Sequence, residues 1–399
     1  MALGSQPDLR TIINVPVGQL IPTTIPANSE IVLAGGIYPI TQTINLNSST
    51  IRSVNGAASA TLAWNGNNNG VLIQASGSYP IIQGVTLTGT NASCAIATSV
   101  GTTNLIVDGC IETDSGPQSL LDLADPNGPS GYIIHNCQTS NIGAYSIFTG
   151  GSDGGIINCN FSNSVSEHLI RGTGNRITVQ GCTLANLQSV GAAASKDATA
   201  PQGGSYWSIV NNTYGLGGPL SVGPILTTQA VNPPVVINTE IRNNVLFVPI
   251  NINPGTSGIF IHVNQITTSP NALNINGPVS SFNYLSIKGL TFSGNTVVNN
   301  GTTGSMLKGF AFAISDLAQI LNNTYSQTGV VIGPSNYFSA SATILDTTEA
   351  SYNFSGNVYS HPEYFSYQLS QTVPYTSFCV GQPIGAQNYH QVPVGDVQN

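Results

Sequence analysis

One short phrase recurs along most of the chain and limits what it can fold into. An apolar residue, a variable one, Asn or Gly, then Asn or Cys, then an apolar or Thr-led run appears as IVDGCI, IIHNCQ, IINCNF, TVQGCTL, SIVNNTY, EIRNNVL, TFSGNTV, QILNNTY and NFSGNVY. The aligned positions are Cys110, Cys137, Cys159, Cys182, Asn212, Asn244, Asn295, Asn323 and Asn357. Their spacings run from 22 to 34 residues, apart from one of 51 that reads as two turns, with GIFIHVN (Gly258 to Asn264) near the missing one. IIQGVTL, with Val85, extends the series upstream. Repeats of this period mark stacked structural units. Few segments carry the apolar spacing of a helix, and Gly, Asn, Thr and Ser fill the intervals, so the stacked unit is built of short strands and tight turns. The economical solution is a parallel β-solenoid. Asn at the turn can adopt the left-handed backbone conformation, and its side chain can bond its neighbours about 4.8 Å above and below.

On these phrases and this period the chain resembles the right-handed parallel β-helix of pectate-lyase-like enzymes and phage tailspikes. The resemblance is to an architecture that carries lyases, hydrolases, epimerases and non-enzymatic adhesins alike. It implies an all-β right-handed parallel β-helix of about 10–12 coils over residues 31–360. Residues 1–30 are expected as a lead-in, and IPANSEIVLAGGIYPITQTINL resembles the first coil of such proteins. Residues 361–399 lose the repeat and are expected as a C-terminal extension packed on the helix or a neighbouring subunit. The resemblance also implies a homotrimer.

Composition narrows the partners. Only 6% of the 399 residues are charged and the formal net charge is −8, which excludes nucleic-acid binding by phosphate neutralisation. No apolar run approaches the roughly 18 residues of a membrane span. With so little charge, solubility rests on Asn, Ser, Thr, Gln and Gly, a surface that changes little between acid and neutral pH. This points to exposure outside a neutral cytosol, extracellular or on a virion surface. No basic n-region followed by an apolar stretch opens the chain, so no signal peptide is visible.

Cys110, Cys137, Cys159 and Cys182 hold the same place in consecutive coils and read as an internal ladder. The spacing of stacked coils also permits disulfides, whereas a line of sulfurs does not make a tetrahedral zinc site. Cys94 and Cys379 show no partner in sequence. His135, His262, His361 and His390 have no suggestive neighbours in sequence and read as surface or packed residues. No metal or cofactor is expected, and the acidic density that calcium-dependent pectate lyases use is absent.

The exception to the thin charge is SEHLIRGTGNRI, with Glu167, His168, Arg171 and Arg176, followed one turn later by ASKDAT with Lys196 and Asp197. A shift of 23 residues, from Cys159 to Cys182, sets Tyr145 beside His168, Phe148 beside Arg171 and Asp153 beside Arg176. If Ile147 and Ile170 face inward, alternation sends His168 inward and leaves Glu167 and Arg171 outward. Aromatic residues on the same coils, Tyr145, Phe148, Tyr206, Trp207 and Tyr214, suit stacking on pyranose faces, with Tyr206 outward and Trp207 inward.

These residues support a polysaccharide or cell-surface glycan as partner, in one of three ways. A spike or adhesin would use Tyr145, Phe148, Asp153, Arg176, Asp197 and Tyr206 for contact. A lyase would use Arg171 with Arg176 to neutralise a uronate, Lys196 or His168 as base and Tyr145 as acid, whereas a hydrolase would pair Glu167 with Asp153 or Asp197. A purely structural fibre would need only ion pairs between coils, Asp153–Arg176 and Glu167–Arg171.

Overall fold

The computed structural model describes residues 10–56, 59–67, 69–112, 119–123, 128–186, 196–224, 235–268, 272–275, 287–301, 307–310, 318–328, 338–341, 352–359 and the short strands at 367–369, 379–380, 388–389 and 397–398. Every regular element among them is a β-strand. The chain falls into two compact units, residues 1–177 with 186–195 and residues 178–185 with 196–399.

Both units are built alike, as a right-handed parallel β-helix in which each rung adds one strand to each of three sheets. In the first unit, Ile106–Asp108, Ile133–His135 and Ser152–Ile157 succeed one another in the first sheet, Ile111–Glu112, Gln138–Ile142 and Asn160–Ser164 in the second, and Leu121–Asp122, Ile147–Thr149 and Ile170–Gly172 in the third. In the second unit the first sheet runs through Val236–Arg242, Thr256–His262 and Ile287–Ser293, the second through Val245–Leu246, Gln265–Thr268 and Thr296–Asn299, and the third through Leu220–Val222, Ile250–Ile252 and Leu273–Ile275. Only Tyr367–Leu369 and Asn388–Tyr389 pair antiparallel among the described strands.

The sheets carry more rungs than the ten to twelve expected. Thr11–Val15 in the lead-in already pairs with Ser29–Leu33, and beyond residue 360 Tyr367–Leu369 and Cys379–Val380 still pair parallel. Most of the expected C-terminal extension, with His361 and His390, lies outside the described residues.

Alternation sets the core. Ile31, Ile51, Ile82, Val107, Ile134 and Ile156 stack in register from rung to rung, and all are buried. Burying each such side chain stabilises by about 1.5–3 kcal/mol. A second inward column reads Leu62, Leu87, Glu112, Thr139, Phe161, so a carboxyl group stands among apolar side chains.

The recurring phrase occupies the corner between the first and second sheets. The two tasks expected of one asparagine fall to two neighbouring residues. Asn211, Asn243, Asn322, Gly294 and Gly356 take the positive φ that turns the chain. The residue after each, Asn212, Asn244, Asn323, Asn295 or Asn357, points inward and is buried. Asn264 is the missing rung inside the 51-residue interval. Asn244 donates from its main-chain N and from Nδ2 to Asn264 Oδ1, and Asn264 donates in the same way to Asn295 Oδ1, all at 2.9–3.0 Å. In the first unit cysteine fills the same place. The thiols of Cys110, Cys137 and Cys159 donate to Ile82, Val107 and Ile134 carbonyls at 3.6–3.7 Å. These are the carbonyls that a ladder asparagine would take in the preceding rung, as Asn264 Nδ2 does from Ile241. Cys94, Cys110, Cys137, Cys159 and Cys182 are buried thiols, not disulfides. Hydrogen bonding with Cys110 holds the Cys137 thiol well above its ordinary value, which keeps it protonated and inert.

One corner departs from the rule. Val263 takes φ 56° where the equivalent residues are Asn or Gly. A β-branched residue there is strained by about 1–2 kcal/mol. Val263→Asn should therefore raise the midpoint of thermal unfolding, by about 1 kcal/mol of stability.

Candidate functional site

Ile147 and Ile170 pair in register and are buried, so alternation directs Phe148 and Arg171, paired at the next position, toward solvent. Arg171 Nη1 donates to Tyr145 Oη at 2.6 Å and to Glu167 Oε2 at 3.3 Å. Its guanidinium carbon lies 5.5 Å from the Tyr145 ring centre and 6.0 Å from that of Phe148. The two rings stand 5.3 Å apart, tilted by 59°. The Arg171 and Glu167 side chains keep 26% and 24% of their surface exposed. Such a partly desolvated cation between two rings and a carboxylate is held by several weak terms at once, each of order 0.5–1 kcal/mol. Burial raises the Tyr145 hydroxyl above its ordinary pKa, against the pull of Arg171, so it stays protonated. The result is a half-exposed ledge of two rings with one fixed cation and one fixed carboxylate. It can stack on a sugar face and bond its hydroxyls.

Phe148 and Glu167 thus meet Arg171 as expected, whereas Tyr145, which the register set beside His168, bonds Arg171 instead. Asp153 and Arg176 also meet, with Nε donating to Oδ1 at 2.6 Å and Nη2 to Oδ2 at 2.8 Å. That hydrogen bonding holds the Asp153 carboxyl below its ordinary range. Both residues are exposed, so the pair clips two rungs together with little net stabilisation.

Two assignments are corrected. His168 is buried with Leu169 and Ile170, because the chain corner turns all three side chains inward. Its Nε2 lies 3.9 Å from Glu167 Oε2, and it does not reach solvent as a base would have to. Asp197 is buried in the second unit, where Ser221 Oγ donates to it at 2.7 Å. Asn251 donates in turn to Ser221, and Asn274 to Asn251, so Asp197 is a buried member of a structural hydrogen-bonded row rather than part of an open hydrolytic site. Lys196 is half-buried in the same unit. Of the aromatic residues, Tyr206 is exposed, while Trp207 and Tyr214 are core, bonded to Gly203 O and Thr199 Oγ1.

Two functional candidates escaped the sequence reading. Asp122 is exposed and pairs in register with Phe148, so it stands in the same outward column as Arg171. Glu240 accepts from His262 Nε2 at 3.0 Å and from Arg242 Nε at 3.2 Å. The partner of His262 is 22 residues away, one rung back, and only the Asn244-to-Asn264 register would have revealed it. Among the described residues no group of three or more His, Cys, Asp or Glu side chains is placed to hold a metal ion.

No protein-family profile matches the chain, and no curated protein matches it in sequence. Solved structures do. A mannuronic acid specific polysaccharide family 6 lyase from human gut microbiota aligns over 94% of this chain and 91% of its own, at 11% identity and TM-score 0.51. The pre-mature bacteriophage phi29 gene product 12 aligns over 85% of this chain and 51% of its own, at 10% identity and TM-score 0.50. The Dettilon tailspike protein aligns over 86% of this chain at 12% identity and TM-score 0.45, and the chain spans 62% of its length. At these identities the likeness establishes the parallel β-helix, and function has to be argued from the site.

Proposed function

We propose that the protein is a β-helical spike or adhesin of a virion or other extracellular surface that recognises glycans along the side of its solenoid. The observation that carries this reading is the ledge of Tyr145, Phe148, Arg171 and Glu167, which offers ring faces and hydrogen-bonding charges at partial exposure. The fold is shared with a polysaccharide lyase and with a bacteriophage gene product, which supports a carbohydrate partner and a place on a virion. A lyase is the second reading, favoured by the 2.6 Å contact that joins its neutralising cation, Arg171, to its acid, Tyr145. It is weakened by the burial of His168, which takes away one of the two bases of that scheme. We further propose a homotrimer, readable as the molar mass in light scattering.

The test is incubation with neutral and acidic polysaccharides, following retention, reducing ends and the ultraviolet absorbance of unsaturated uronates. Retention on at least one polymer without cleavage is expected, weakened about tenfold or more by Arg171→Ala and by Tyr145→Ala. Unsaturated ends lost in Tyr145→Ala would replace the adhesin with the lyase, and no retention on any polymer would leave the structural fibre.

A further inference from the structure

A second constellation lies on the first sheet of the second unit. Glu240 and Arg242 pair in register with Phe260 and His262 of the next rung, and these pair with Thr291 and Ser293 of the one after. Ile241, Ile261 and Phe292, which alternate with them, are buried, so these six side chains face outward. Glu240, Phe260, His262, Thr291 and Ser293 line a shallow concavity of about 350 Å³.

Three observations give this concavity a chemistry. The Phe260 ring is 46% exposed in a register column whose other members, Glu240, Thr291 and Gln319, are polar. Keeping an aromatic ring in water is unfavourable unless something covers it. Next, Glu240 is fixed by His262 and Arg242 and still keeps 39% of its side chain exposed. An ionised carboxylate only accepts, so it presents remaining lone pairs to donors, while Arg242 and His262 present N–H groups beside it. Last, strained Val263 follows His262 directly, and strain of this kind gathers at binding sites.

We propose that this concavity binds one pyranose residue of a neutral glycan. The Phe260 ring takes the C–H face of the sugar, and Glu240 accepts from its hydroxyls while His262 and Arg242 donate to them. Arg242 cancels the charge of Glu240, so the site offers no net attraction to a polyanion. The outward column continues through Thr291, Gln319 and Asn353, and Asn353 Nδ2 donates to Gln319 Oε1 at 2.7 Å. A sugar chain laid along the axis would meet a hydrogen-bonding side chain at each rung, about every 4.8 Å. This site shares no residue with the Tyr145 ledge and stands without it.

The test is an array of neutral gluco-, galacto-, manno- and N-acetylglucosamine oligomers beside alginate and pectate oligomers. Calorimetry then follows on the best neutral binder with Phe260→Ala, Glu240→Gln and Arg171→Ala, each checked for native circular dichroism. A neutral binder whose Kd weakens about tenfold or more in both Phe260→Ala and Glu240→Gln is expected. Binding confined to acidic oligomers, no binder at all, or a neutral affinity indifferent to Phe260→Ala would overturn the proposal. A ligand lost in Arg171→Ala but kept in Phe260→Ala would belong to the Tyr145 ledge and overturn this assignment alone. A fall in molar mass in Phe260→Ala would reassign the ring to a contact between subunits.

Discussion

Asn264→Ala should destabilise the second unit by roughly 3–5 kcal/mol. Asn264 Oδ1 is the acceptor for the Asn244 main-chain N at 2.9 Å and for Asn244 Nδ2 at 3.0 Å. Its own Nδ2 donates to Ile241 O, His262 O and Asn295 Oδ1 at 2.9–3.1 Å. Alanine removes all of these at a position where the neighbouring asparagines are buried. Each buried group left unsatisfied costs about 1–3 kcal/mol, and here the Asn244 amide and the Ile241 carbonyl are the principal ones. Cys159→Ala is the comparison within the same kind of corner. The Cys159 thiol makes long contacts, 3.4 Å to Ile157 O and 3.7 Å to Ile134 O, and sulfur is a weak donor, so its loss should cost about 1–2 kcal/mol, mostly as lost packing. Urea unfolding gives both values, and hydrogen exchange at the Asn244 amide reads the local loss. Equal losses in the two variants would mean that the asparagine ladder orders the corner without stabilising it.

The ladder is also where sequence and structure agree most closely, for a physical reason. A solenoid repeats its constraints, so an inward corner residue and a left-handed residue before it must recur at every rung, and recurrence is visible in a single chain. The same periodicity set the registers that paired Phe148 with Arg171 and brought Asp153 to Arg176. What the repeat does not encode is where the chain bends between strands. Strict alternation already turned His168 inward, but the corner that also buries Leu169 lies in a segment without the phrase. Asp197 sits just before a strand whose partner row, Ser221, Asn251 and Asn274, has no apolar signature to announce it. His262 looked isolated because its carboxylate is one rung away, and the rung of His262 itself falls in the one interval where the repeat skipped a match. Outward columns are free to vary, so the Glu240 and Phe260 site is legible only after the register is fixed.

Glu112→Leu should make the protein more stable, and by more at neutral pH than at acid pH. Glu112 is fully buried in the column between Leu87 and Thr139, and neither carboxyl oxygen has a hydrogen-bond partner. Burial pushes its pKa well above the ordinary glutamate value. The unfolded chain loses this proton near about pH 4.3, while the folded chain retains it to higher pH. The folded state therefore binds more protons over that window. Its stability is greatest below about pH 4.3 and falls as pH rises toward the raised folded value, by up to about 1.4 kcal/mol per pH unit. Leucine matches the apolar column, removes the titration and removes an unsatisfied buried group, for a gain of about 1–3 kcal/mol at pH 7. Glu112→Gln separates the two contributions, because it abolishes the titration but keeps a polar head in the column. Thermal midpoints at pH 4 and pH 7 should converge in both variants and rise at pH 7 in the leucine variant. A pH dependence that survives both substitutions would place the titration elsewhere. A single internal acid of this kind biases the fold toward acid conditions, the same direction as a chain with only 16 acidic and 8 basic residues that relies on amides and hydroxyls for solubility.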